Sequence, residues 1–153
     1  MSDYLAPGDY LPHQAPMILL EKVISVSEQH AHCQVTVSAT GVLAPFLTAD
    51  GELPGWFALE LMAQSVGVWN GWHNASQQQE TVSMGMILGA RQLTTASPQF
   101  TANAVLDIHT TLLMQDGRVG SFDAVILSAG DEVASGRVNT YQPNQADLAQ
   151  LFK

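Results

Sequence analysis

Charge is scarce in this chain of 153 residues: Asp, Glu, Lys and Arg make up 12% of it, about half the usual share of roughly 25%. A soluble protein so poor in ions is expected to cover part of its surface by self-association, as a dimer or larger. Positive charge is scarcer still. Five Lys and Arg stand against 14 Asp and Glu, a net charge of −9. That excludes the phosphate-neutralising surface of a nucleic-acid binder and works against an anionic membrane surface. Cysteine occurs once, as Cys33. No internal disulfide frames the fold, which suits a reducing cytoplasm. The opening "MSDYLAPGDYLPH" has neither a positive n-region nor an apolar h-region, so no signal peptide is expected. No apolar run approaches the ~20 residues of a membrane span. What remains is enough chain for a single domain over residues 1–153, with 46% apolar residues to fill its core.

The segment up to Pro16 is rich in Pro, Gly and Tyr and reads as irregular or as one short helical turn. Met17–Val26 and His30–Ser38 read as two strands joined by the turn "SEQ". A loop punctuated by Pro45, Asp50-Gly51 and Pro54-Gly55 follows. A helix is then expected from about Trp56 to His73, a run of good helix formers that no Pro interrupts. After the polar connection "NASQQQETVS" the period changes to that of strands. These are "MGMILGARQLTTA", "AVLDIHTTLLMQ", "GRVGSFDAVILSAG" and "EVASGRVNTYQP", with hairpin signals at Asp116-Gly117 and Gly130-Asp131. The tail "NQADLAQLF" reads as a short amphipathic helix or a frayed end. A helix apolar on nearly every side must be enclosed, and the only enclosing material is the sheet. The expected fold is α+β, a curved antiparallel β-sheet wrapped around one long central helix.

That helix carries a single carboxylate, Glu60, and no Lys or Arg. Glu60 and Gln64 are four apart and share a face, which Gly67 and Gly71 continue. The stripe is acid, amide, Gly, Gly, and its lower end leaves room for something to lie close to the backbone. Two effects compete at Glu60. Burial disfavours the carboxylate and can move a pKa by several units, while the helix dipole favours it by only ~0.3–1 kcal/mol. A dry Glu60 is therefore expected to keep its proton and serve as a donor. The plainer reading is a solvated first-turn acid that favours the helix terminus.

"PGWFALELMAQSVG" resembles the central-helix motif of the hotdog-fold 3-hydroxyacyl-[acyl-carrier-protein] dehydratases, where Pro-Gly opens the helix and an acid precedes Ala-Met-Ala-Gln or a close variant. "YLPHQAPMILLEKV" resembles their N-terminal Leu-Pro-His segment, and "GMILGARQL" their next strand. The likeness runs from about Tyr10 to Tyr141 and is nearest to the branch associated with aryl-polyene biosynthesis. One departure stands out. The family's catalytic His lies in a Gly-His-Phe-Pro loop before the helix, and the matching loop here, "APFLTADGELPG", has no His.

Five other positions offer an imidazole. His13 lies in "LPHQAP", between prolines that stiffen the backbone. His30 and His32 share one face of a strand, with Cys33 on the other. They lack a third clear ligand, so they read as exposed strand histidines and no metal is expected. His73 closes the helix, where a cation suits the dipole, and His109 reads as a surface or dimer-facing strand residue.

The resemblance implies loss of water from a 3-hydroxyacyl thioester on acyl carrier protein, giving the trans-2-enoyl thioester without a cofactor. A base takes a proton from C2, an acid protonates the hydroxyl leaving C3, and a donor polarises the thioester carbonyl. His13 is assigned as base, with Asp50 as the alternative base or orienting acid. Glu60 is the acid and Gln64 holds it. The backbone N–H of Gly55 is the carbonyl donor, by resemblance and by its place at a helix N-terminus. Met84, Met86 and Leu88 alternate along a strand and are candidates to line an acyl tunnel, since Met adapts to varied chains. For any single one of them ordinary core packing is the plainer reading. Arg91 is the candidate contact for an acidic carrier at the tunnel mouth. Two assemblies fit, a homodimer or a heterodimer with a second dehydratase-like subunit. Two rival functions are a hotdog thioesterase and a non-catalytic acyl-binding subunit. The Glu-x-x-x-Gln spacing favours dehydration over the first, and the missing loop His is the argument for the second.

Overall fold

The uninterrupted helix formers after Gly55 build α1, Phe57–Ser76, in a computed structural model that describes residues 4–11, 17–76, 86–116 and 119–141. Of residues 74–76 and 86–88 only the backbone is described. Before the helix come β1 (Lys22–Val26), β2 (His30–Thr36) and the two-residue β3 (Leu53–Pro54). After it come β4 (Met86–Thr95), β5 (Gln99–Phe100), β6 (Val105–Asp116), β7 (Val119–Ser128) and β8 (Asp131–Tyr141). Six strands form one antiparallel sheet in the order β1-β2-β6-β7-β8-β4, and β3 pairs with β5 separately. The helix touches all six strands of the large sheet. This is the expected α+β architecture of a hotdog fold.

Alternation along the strands decides which face meets the helix. Ala31, Cys33 and Val35 of β2 point inward with Leu106 and Ile108 of β6 and Phe122, Ala124 and Ile126 of β7. They pack on Ala58, Leu61, Met62, Val66, Val68 and Trp69 of α1. His30, His32 and Gln34 are half-buried on the opposite face.

Several local features differ from the sequence reading. The first strand is shorter than expected, because Met17–Leu19 is bound to a helix side chain rather than to a neighbouring strand. The β3–β5 pair was not anticipated. Leu53 faces Phe100 and Pro54 faces Gln99, and the Gly55 N–H donates to the Pro98 carbonyl at 2.8 Å. This small sheet clamps the chain at the mouth of the helix. Both hairpin signals hold, with Asp116 opposite Val119 and Ser128 opposite Asp131. The second loop is Ala129-Gly130, with φ of 52° and 85°, the left-handed pair that a tight hairpin requires. The expected tail helix lies outside the described residues.

Candidate active site

Glu60 stands in the first turn of α1. It is half-buried rather than enclosed, which corrects the expectation of a dry carboxyl. Gln64 is 1% exposed and every polar atom of its amide is engaged. Its Nε2 donates to Glu60 Oε1 at 3.1 Å and to the Met17 carbonyl at 2.7 Å. Its Oε1 accepts from the Leu19 N–H at 2.8 Å. A backbone donor on one side and a backbone acceptor on the other leave only one orientation of the amide. Gln64 therefore fixes Oε1 of the acid.

The glycines of the stripe do make room, and the chain itself takes it. A Cβ on Gly71 would overlap the Tyr10 carbonyl, and one on Gly67 would come within 2.7 Å of Leu11 Cδ2. The N-terminal segment thus lies against the helix backbone, and Leu11 and Tyr10 are 6% and 5% exposed.

His13 and Met84 lie outside the described residues. So do the side chains of Met86 and Leu88, whose backbones belong to β4. Asp50 is exposed in the turn between Thr48 and Gly51. Gly55 is buried at the start of the helix, but its N–H is bonded to Pro98. The amide expected to receive a thioester oxygen is not free here. The amides of Trp56 and Phe57 come next, in the part of the helix where backbone donors lack intrahelical partners. Arg91 is exposed on β4 at the sheet's edge, directly opposite Arg137 of β8. Arg137 lies 3.4 Å from Asp123.

Two groupings escaped the sequence reading. Trp56 is 74% exposed at the helix mouth, stacked on Phe57, which in turn meets Phe46 with ring centroids 5.3 Å apart. On the outer sheet face His109 joins His30 and His32. Its Nδ1 is 3.1 Å from His30 Nε2, its ring stacks on His32 at 4.0 Å, and His32 Nε2 is 2.8 Å from Asp107 Oδ1. Only the β2–β6 register, which sets His32 opposite His109, brings these together. Partial burial and then the charge of His32 hold His30 and His109 below the ordinary imidazole range. Burial works against ionised Asp107, but hydrogen bonds from His32 and Gln34 and the nearby imidazoles outweigh it and lower its pKa. Among the described residues, no group of three or more His, Cys, Asp or Glu is arranged to hold a metal ion.

Comparison with known proteins adds to this geometry. A family model described as ApeP-like, ApeP dehydratase, matches residues 5–153. A chain in the structure of the dehydratase heterocomplex ApeI:P from Xenorhabdus doucetiae is 54% identical, over 98% of this chain and 99% of that one, with a TM-score of 0.91. More distant structures share the fold alone. A hypothetical thioesterase with coenzyme A from Streptococcus pneumoniae TIGR4 is 15% identical, over 81% of this chain and 86% of that one, at TM-score 0.62. The PaaI protein of the phenylacetic acid degradation operon from E. coli is 17% identical, over 79% of this chain and 82% of that one, at TM-score 0.60. No curated protein matches the chain.

Proposed function

From the premise that this chain belongs to the ApeP-like family of hotdog dehydratases, in the aryl-polyene branch, we propose that its substrate is a 3-hydroxyacyl thioester borne on an acyl carrier protein. The product is the trans-2-enoyl thioester, and the setting is aryl-polyene-type biosynthesis. The observation that carries the reading within the chain is the Glu60–Gln64 pair at the mouth of the helix.

His13 takes the proton from C2. The electron pair left behind forms the C2–C3 double bond as the C3–O bond breaks, and Glu60 protonates the departing hydroxyl so that it leaves as water. Charge that gathers on the thioester oxygen meets backbone N–H groups at the helix N-terminus. Gly55 serves there only by exchanging its bond to Pro98 for one to substrate, so the Trp56 amide is assigned first. Asp50 is the reserve base. Met84, together with Met86 and Leu88 of β4, is assigned to the acyl chain, and the Arg91–Arg137 pair to the acidic carrier. Two guanidinium groups placed opposite each other repel unless anions share them.

The assembly proposed is a heterodimer with a second dehydratase-like subunit, by analogy with the heterocomplex relative. Exposed Trp56, and Leu93 on the edge strand β4, give such a partner apolar surface to cover.

The test supplies a 3-hydroxyacyl carrier thioester to the purified protein and follows the carrier by mass spectrometry. Loss of one water is expected, and Glu60→Gln is expected to lower kcat by ~10²–10⁴. Release of free carrier would make the protein a thioesterase. Full activity in Glu60→Gln would remove the acid assignment.

A further inference from the structure

One corner of the outer sheet face gathers groups that bind anions. Among the described residues of this acidic chain, Lys and Arg occur at Lys22, Arg91 and Arg137, and the two arginines stand opposite each other on β4 and β8. Beside them the Thr94 and Ser135 hydroxyls are hydrogen-bonded at 2.9 Å.

A break in the strand register makes this grouping. Side chains alternate along a strand, so Arg91 and Thr94, three positions apart, would face opposite sides of a regular β4. The pairing shifts between them. Arg91 lies opposite Arg137 and Thr94 opposite Ser135, which leaves Gln92 and Leu93 to share Gly136. Gln92 takes a left-handed φ of 54°, and Leu93 fills the space that a side chain at Gly136 would need. Bulges re-aim side chains, and strain of this kind clusters at ligand sites. The bulge brings Thr94 to the face of Arg91. Ser135 and Arg137, two positions apart, share that face already.

An acyl carrier holds its thioester on a pantetheine arm joined to the protein through a phosphate. We propose that Arg91, Arg137 and the Thr94–Ser135 hydroxyls bind that phosphate, rather than a carboxylate of the carrier protein. A carboxylate occupies one guanidinium, as Asp123 does beside Arg137 at 3.4 Å. A phosphate offers several oxygens in a tetrahedron and as much as about two negative charges, which suits two guanidinium forks and a hydroxyl together. One hydroxyl hydrogen lies in the Thr94–Ser135 bond and the other is left to donate. Asp123 is the competing anion. The source of the phosphate rests on the reading of the substrate as a carrier-borne thioester; the site itself does not.

The test titrates the protein, assembled as it purifies, with pantetheine, phosphopantetheine and inorganic phosphate in a calorimeter. Phosphopantetheine is expected to bind about tenfold tighter than pantetheine, and tighter than inorganic phosphate, which has no arm. Arg91→Gln and Arg137→Gln should each abolish the preference. Arg137→Lys should keep part of it, and Asp123→Asn should enlarge it. With 3-hydroxyacyl thioesters of the two arms, the same preference should appear in KM at unchanged kcat.

Equal affinity for the two arms would overturn the proposal, as would a preference that survives Arg91→Gln. Weaker binding of intact carrier by Arg91→Gln, with no preference between the arms, would give the pair to carrier carboxylates instead. Inorganic phosphate bound as tightly as phosphopantetheine would remove the arm as the source. If Arg137→Gln does not fold, exposed Arg91 on the edge strand decides. Titration needs no turnover, so a preference in a protein that does not dehydrate would keep the site and defeat the functional reading.

Discussion

At Cys33 the surroundings decide the chemistry. The thiol is wholly enclosed between sheet and helix, and burial pushes it up to about 11. The thiolate is the reactive form, so an alkylating reagent at pH 8 should leave Cys33 unmodified until the protein is denatured. Rapid labelling of the folded protein would contradict the packing. The imidazoles of the outer face predict a pH response. His30 and His109 are held low in the fold, so folding favours their neutral forms. Their contribution is intact above pH about 6.5 and is lost as the pH falls below it. Asp107, also held low, adds stability above the ordinary carboxylate range that is lost on further acidification. Both effects weaken the protein in acid, in two successive windows. Denaturant midpoints from pH 8 to pH 4 should show the first decline, and His109→Gln should flatten it. The sequence alone could not yield this group. His30 and His32 are neighbours on one strand, but His109 arrives from more than seventy positions away, through a strand register that no local pattern encodes.

At the scale of elements, what was legible followed from local rules. The helix was legible because helix formers run without a break, and the Glu60–Gln64 contact because four positions make one turn. The β3–β5 pair was not, since two-residue strands carry no periodicity. Nor was the half-exposure of Glu60, because sequence shows that a helix must be covered but not how far the cover extends. The β7–β8 hairpin offers a test of turn chemistry. Ala129 adopts a positive φ that costs an ordinary residue roughly 1–2 kcal/mol. Ala129→Asn creates the Asn-Gly pair favoured in such turns and should raise stability by about 0.5–1 kcal/mol, read as a higher denaturant midpoint at unchanged slope. In the helix, Leu61 is completely buried, so Leu61→Ala should destabilise by about 2–5 kcal/mol in the same measurement.

For the whole molecule, scarcity of charge and exposure of apolar groups lead to one expectation. Trp56, Leu93, Leu113 and Met114 are all at least 39% exposed, on a chain with few ions to keep copies apart. Expressed alone, the protein should self-associate or precipitate, and coexpression with the dehydratase-like subunit proposed above should give a stable complex whose mass fits one copy of each. A soluble monomer at micromolar concentration would argue that these residues need no cover. Trp56→Ser should weaken the complex, read by sedimentation, while the circular dichroism of the chain is unchanged.

The seat of the N-terminal segment also bears on how the protein is made. Leu19 must find Gln64, 45 positions further on, and Tyr10 must wait for Gly71. The stretch that leaves the ribosome early therefore has no resting place until the helix has been synthesised. Polypeptides halted before residue 71 should leave Tyr10 and Leu11 open to protease, and nascent chains carried past the end of α1 should begin to shield them.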